Sequence, residues 1–347
     1  MCPMSSRDNY LRTFEFREPD WIPCRVSLAM ATWSKYRDAL HALVKRHPII
    51  FGENVSKINY DDFGVQVNDK PWKDDWGCVW RFPINGLDGQ VVEHPLEDWS
   101  AIDTFKPPDP ASAKDWAKIK RHMMEVKGRG ELAFDGPPHG SMFMRLHYLR
   151  GFSNLMVDFA TENPFLDDLI AMVRDYNMKY VKMLIECGVD AIAFGDDLGN
   201  QDRLPISPRS FRKYLTPAYR DIFKLAREAG IHVHFHSDGH ILEVIDELAY
   251  SGVTIINPQS RANGIDEIRR ACFGKICVDL DVDRQVILPY GKPEDVRRHV
   301  EEVVHKLGSR KGGLMIIAGC YPDAPLENIE ELCGAMEEYY RYYSEAP

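Results

Sequence analysis

Ile231-His-Val-His-Phe-His-Ser-Asp-Gly-His240 places four histidines and an aspartate within ten residues. His232, His234 and His236 alternate with Val233 and Phe235, which is the period of a β-strand whose side chains point to opposite faces in turn. Ser237-Asp238-Gly239 ends that alternation with turn formers. Ile241-Leu-Glu-Val-Ile-Asp-Glu-Leu248 then spaces apolar residues as a helix does. The unit is strand, polar turn, helix, and the turn carries groups able to bind a metal or move protons. In a parallel sheet such a turn sits at the carboxyl end of its strand, where α/β enzymes keep their chemistry.

Working outward, the same rhythm recurs from residue 188 on. Apolar runs at Ala191-Ile-Ala-Phe, Ile231 to Phe235, Val253-Thr-Ile-Ile, Lys275-Ile-Cys-Val and Leu314-Met-Ile-Ile-Ala are each followed by a helical pattern, which predicts parallel strands with helical crossovers. The residues after them are polar and able to act as ligands: Gly195-Asp196-Asp197, His236-Ser237-Asp238, Asn257-Pro258-Gln259, Asp279-Leu280-Asp281 and Gly319-Cys320. A closed barrel gathers all such ends on one rim, whereas an open doubly wound sheet gathers only those beside its switch point. The expectation is therefore an α/β chain folded as a single (β/α)8 TIM barrel over 1–347, with N-terminal helical and hairpin decorations.

Upstream, the pattern predicts a helical lead from Arg7 to Phe16, a first strand after the prolines of Arg17 to Leu28, and a helix at about Lys35 to Lys45. Strands and hairpins are expected between Ile49 and Phe82, and a rigid loop at Pro107 to Pro110. A helix near Ala113 to Val126, a loop from Phe134 to Gly140, and helices Phe143 to Phe159 and Pro164 to Cys187 complete this half. No repeat, low-complexity tract or long linker divides the chain.

Composition excludes several classes. A net charge of −10 with no basic run argues against nucleic acid as a partner. No stretch approaches the roughly 18 apolar residues of a membrane span, and Met1-Cys-Pro-Met-Ser-Ser-Arg-Asp lacks the apolar core of an export signal, so a cytoplasmic location is expected. The eight cysteines form no Cys-x-x-Cys pair and are expected to be reduced thiols. No strand leads into Gly-x-Gly-x-x-Gly, because Gly308-Ser-Arg-Lys-Gly-Gly precedes a strand, and no Gly-x-Ser-x-Gly elbow is present. Metal or acid/base chemistry remains.

Arg17 to Pro23, Asp74-Asp-Trp-Gly-Cys-Val-Trp, Gly188-Val-Asp-Ala-Ile-Ala-Phe-Gly-Asp-Asp-Leu-Gly-Asn-Gln, Ser207-Pro208, His236-Ser-Asp-Gly, Asn257-Pro-Gln and Pro325-Leu-Glu-Asn-Ile, in that order, resemble the uroporphyrinogen decarboxylase superfamily. The resemblance implies a (β/α)8 barrel and one of two activities. One is decarboxylation. The other is zinc-dependent methyl transfer with a corrinoid protein, as in coenzyme M methyltransferases and methyl ether O-demethylases. Decarboxylases of this kind carry Met-Arg-Gln-Ala-Gly-Arg-Tyr after the first strand; here Val26-Ser-Leu-Ala-Met-Ala-Thr-Trp offers no arginine to clamp a polycarboxylate. The methyltransferase pattern of His-x-Cys plus a later Gly-Cys falls on His236, Asp238 and Cys320, which the resemblance makes the metal ligands. His234 is an alternative ligand, since i and i+2 side chains on a strand are only ~6.6 Å apart.

A carboxylate in place of a thiolate donates less charge and leaves a harder Lewis acid, which favours an oxygen substrate such as a methyl ether. Asp196, Asp197 and Asn257 are the candidate catalytic residues, and Gln201, Asp279 and Glu162 the candidate substrate contacts. Each has a plainer reading. Asp196 and Asp197 also suit a turn or cap, Cys320 a buried apolar position, and Glu162 a helix terminus. The implied cofactors are zinc and a corrinoid (cobalamin) carried by a partner protein, because no Asp-x-His-x-x-Gly segment of a carrier occurs here. A small methylated substrate and a second copy of the chain, as a homodimer, complete the expected partners. A metal-free decarboxylase or lyase, and a catalytically silent binding barrel, are the alternatives.

Overall fold

The computed structural model describes residues 4–345, so Cys2 lies outside the described residues. The helical lead forms over Ser6–Phe14, and the proline-rich stretch after it delivers β1, Cys24–Leu28. A helix over Met30–Arg46 follows, kinked where Arg37 takes φ 45° and ψ −124°.

The stretch from Ile49 to Phe82 forms its expected strands only near its end, where they belong to a three-stranded sheet. It holds a helical turn, Pro48–Phe51, and only the short β2, Trp72–Lys73, and β3, Val79–Arg81, with β4, Gln90–Glu93, beyond them. Local side chains take the place of a ladder there. Asn59 Oδ1 accepts the Asp61 N–H, Asp62 Oδ1 the Gly64 N–H, and Asn85 Oδ1 the Asn68 N–H. Such bonds offer the backbone an alternative to pairing.

Two further expectations are corrected. The helix expected from Phe143 to Phe159 is two helices, Phe143–Arg150 and Phe152–Thr161, separated by Gly151 at φ 85°. Apolar spacing cannot register one residue turned into a region that only glycine enters freely. Phe134–Asp135, expected as loop, is β5, parallel to the following strand through Phe134↔Ala191 and Asp135↔Ile192. A two-residue strand is too short to display a period.

The chain divides into two compact units, one of Met1–Leu11, Lys73–Val79 and Val91–Pro258, the other of Arg12–Trp72, Trp80–Gln90 and Gln259–Pro347. In the first, β5, β6 (Ala191–Gly195), β7 (His232–Ser237) and β8 (Ile255–Pro258) run parallel, side by side. The helix Thr216–Glu228 buries Tyr219, Ile222, Phe223 and Ala226 at helical spacing, and Tyr219 and Phe223 meet Phe235 of β7 at ring-centroid distances of 5.5 and 6.0 Å. In the second unit, β1 pairs with β10 (Leu314–Cys320), which pairs with β9 (Cys277–Asp281), again in parallel. The helices Pro293–Leu307 and Leu326–Tyr339 belong to this unit.

Alternation of helices with parallel strands is the α/β barrel class read from the sequence. The strands reach further than the apolar runs, so Ser237, Pro258, Asp281 and Cys320 are their last residues rather than loop residues. No helix of the described residues is long and apolar enough to cross a membrane.

Candidate metal centre

The register of the first unit aligns Gly195 of β6, His236 of β7 and Asn257 of β8 as direct neighbours. That brings three strand ends to one level, and the loops that follow are laced together. Leu198 N–H donates to Ser237 Oγ (2.9 Å), Asp238 N–H to Asp197 Oδ1 (3.0 Å), and His240 N–H to the Asn200 carbonyl (2.7 Å). The crossing depends on Gly239, at φ 78°, where an added Cβ would lie 2.1 Å from the Gly199 carbonyl oxygen. The loop after β5 brings in His139.

Four side chains converge as a result. His139 Nε2 lies 3.3 Å from Asp197 Oδ1, and His236 Nε2 lies 3.8 Å from the same oxygen and 3.1 Å from Asp238 Oδ1. Among the described residues, His139, Asp197 and His236 are the group of three His, Cys, Asp or Glu whose ligand atoms all fall within 4.8 Å of one another. The other nitrogen of His236, Nδ1, is 2.7 Å from Asn257 Oδ1. Burial opposes charge on His139, yet its hydrogen bond to Asp197 and the charge of that carboxylate outweigh it, and its pKa is raised. Burial likewise opposes the charge of Asp197, but His139, His236 and the Asp238 N–H hold it below the usual carboxylate range.

Asp196, next in sequence to Asp197, does something different. Fully buried, it accepts the backbone N–H groups of Met142 (3.0 Å), Phe143 (2.6 Å) and Met144 (2.7 Å) and the hydroxyl of Tyr219 (2.5 Å). Those amides open the helix Phe143–Arg150, whose N-cap residue, Met142, has no acceptor side chain of its own. Burial pushes the Asp196 carboxyl up to about 6 against the pull of these bonds. The same helix is braced by the Asp-Asp-Trp-Gly motif: the guanidinium of Arg145 lies 5.2 Å from the ring centroids of both Trp76 and Tyr148 and pairs with Asp74 at 3.0 Å. The loop carrying His139 is therefore anchored at its far end.

His236, Asp238, Asp197 and Asn257 are brought together, with Asp196 set below them as a cap. His234 is buried further back on β7, its ring edge-on to Phe134 at 5.6 Å. Gln201 is exposed. Glu162, left-handed at the end of the helix Phe152–Thr161, pairs with Lys213 at 2.9 Å and lines a separate hollow of about 410 Å³ with Ser207, Arg209 and Lys213. In the second unit, Asp279 is fully buried in the middle of β9 and pairs with Arg25 at 2.5 Å. Cys320 ends β10, where burial pushes its thiol up to about 12, and Asp281 and Asp323 act in the same sense. Its carbonyl accepts the Thr32 hydroxyl at 2.9 Å, and it lines a hollow of about 180 Å³ with Ser27, Met30, Gln66 and Tyr321.

His139 escaped the sequence reading because its loop follows a strand too short to be recognised. The one signal available was a lone histidine among the glycines and prolines of Asp135-Gly-Pro-Pro-His-Gly140.

The uroporphyrinogen decarboxylase (URO-D) profile matches residues 77–339. The uroporphyrinogen decarboxylase of Thermus thermophilus is 22% identical over 267 residues, 72% of this chain and 72% of its own. The methylcobamide:CoM methyltransferase of Methanosarcina mazei is 23% identical over 256 residues, 72% of this chain and 71% of its own. A solved structure of a methyltransferase from Methanosarcina mazei shares the fold, with a TM-score of 0.66 at 16% identity over 97% of this chain and 99% of that one. The profile takes in every strand from β5 to β10 together with His139, Asp197 and His236, and on that extent the chain belongs to the uroporphyrinogen decarboxylase family.

Proposed function

We propose that this protein is a zinc-dependent methyltransferase that moves a methyl group between a small substrate, favoured as a methyl ether in an O-demethylation, and the cobalt of a corrinoid carried by a separate protein. The observation that carries the reading is the convergence of His139, Asp197 and His236 at strand ends, in a family whose relatives include corrinoid methyltransferases. The donor set fits the metal. Imidazole nitrogen and carboxylate oxygen are both zinc donors, and two ligands each ~2.1 Å from one ion stand no more than about 4.2 Å apart, so the group needs only a small closing movement.

Zinc bound here would act as a Lewis acid on the substrate oxygen. The chain's own residues hold and orient. His139, Asp197 and His236 are the proposed ligands, and Asp238, beside His236 Nε2, is the neighbouring carboxylate that fills the set or meets the substrate. Asp197 Oδ1, the oxygen that faces both histidines, also accepts the Asp238 N–H, and that bond holds it in place without a search. A set of nitrogen and oxygen donors keeps the site a hard Lewis acid, which is why an ether oxygen is preferred to a thiol. A set of His236 and Asp238 with Cys320 is the family-patterned variant of the same proposal.

Two measurements on the purified protein test this reading. Metal analysis should find about one zinc per chain, lost in His236→Ala. Reduced cobalamin, offered with a panel of methyl ethers, amines and thiols, should become methylated from an ether. A metal-free protein that releases carbon dioxide from carboxylated substrates, and methylates no cobalamin, would instead be the decarboxylase of the family.

A further inference from the structure

We infer that Asn257 is a positioning residue that aims His236 at the metal, an inference resting on the metal reading above. His236 and Asn257 are direct partners in the β7–β8 ladder, so both side chains leave the sheet on one face. Asn257 is buried, and its Oδ1 sits 2.7 Å from His236 Nδ1. An amide oxygen can only accept, so the bond places the imidazole proton on Nδ1. That makes Nε2 the nitrogen able to give its lone pair to a metal ion, while without the metal the adjacent carboxylates favour a proton there. Nε2 is also the nitrogen that Asp197 and Asp238 approach, at 3.8 and 3.1 Å.

Asn257 therefore sets both the tautomer and the ring angle that a metal ligand needs. An oxygen acceptor behind a ligating histidine fixes its orientation, and removing such a partner costs roughly 10–100-fold in metal affinity. The register makes this arrangement possible: a slip of one residue along β8 would put Ile256 or Pro258 opposite His236 and turn the amide to the other face.

The test is zinc affinity of the full-length apo-protein, measured by competition with a chromophoric chelator, with the ligand-field spectrum of the Co2+ form as a second readout. Asn257→Leu keeps the branching at Cγ and removes the acceptor, and should weaken zinc binding 10–100-fold and alter the Co2+ spectrum. Asn257→Asp restores an acceptor and should bind zinc at least as tightly as the wild type. It also serves if the leucine variant does not fold. Zinc binding by Asn257→Leu within twofold of wild type, or by Asn257→Asp more than tenfold weaker, would overturn the inference. His236→Ala separates the two levels of argument. If it loses zinc while Asn257→Leu does not, only the positioning role fails; if it keeps zinc, the metal reading fails and the positioning role goes with it.

Discussion

Asp196 and Asp197 are adjacent, chemically identical, and assigned to different work by where their side chains point. Asp196 satisfies three helix-opening amides and a buried tyrosine hydroxyl. Asp196→Ala should cost about 2–3 kcal/mol in denaturant unfolding, since it removes a cap and orphans buried donors. Asp197→Ala, which removes one backbone hydrogen bond and the pairing with His139, should cost less stability than Asp196→Ala but cut zinc affinity, reversing the pattern. Equal effects of the two substitutions on both quantities would contradict the division. Thiolate ligation is read directly from Co2+-substituted protein, because a cysteine ligand adds a strong near-ultraviolet charge-transfer band. The wild type and Cys320→Ser should both lack that band, and Asp238→Cys should gain it. A band present in wild type and lost in Cys320→Ser would put Cys320 in the ligand set.

At the scale of elements, the centre depends on two loops crossing and on one helix staying seated. Gly239→Ala forces a side chain onto the Gly199 carbonyl at a residue with φ 78°. It should lower both the unfolding midpoint and zinc affinity, because Asp197 and Asp238 are held on the two strands of that crossing. Arg145 and Asp74 form a buried pair with side-chain exposures of 9% and 7%. Removing one member leaves a buried charge, so Asp74→Asn should destabilise by ~3 kcal/mol. Loss at the metal site should follow, as the helix Phe143–Arg150 loosens its hold on the His139 loop. Limited proteolysis around residues 136–142 would register that loosening.

For the whole molecule, pH and salt give the relevant tests. Burial, aided by the neighbouring His94, lowers the pKa of His147 from 6.5 to about 4. Between those values the unfolded chain takes up a proton that the folded one refuses, so stability is full above about pH 6.5 and declines as pH falls towards 4. His147→Gln should flatten that part of the pH dependence of unfolding. A steeper profile in the variant would refute the assignment. The net charge of −10 predicts no DNA binding at physiological salt, testable by electrophoretic shift.

Periodicity and turn chemistry are local properties, and what is local was legible in the sequence: the parallel strands from Ala191 to Cys320, the crossovers between them, and the polar residues at their ends. His236, Asp238, Asp197 and Asn257 were recognisable for the same reason. The rest is decided by distance in space between residues far apart in the chain. His139 joins the cluster because a two-residue strand pairs with β6. Asn257 meets His236 because of a cross-strand register, and Asp196 turns away because a helix needs a cap that its own Met142 cannot supply. A ligand set is a matter of ångströms between side chains, and only the folded backbone sets those distances.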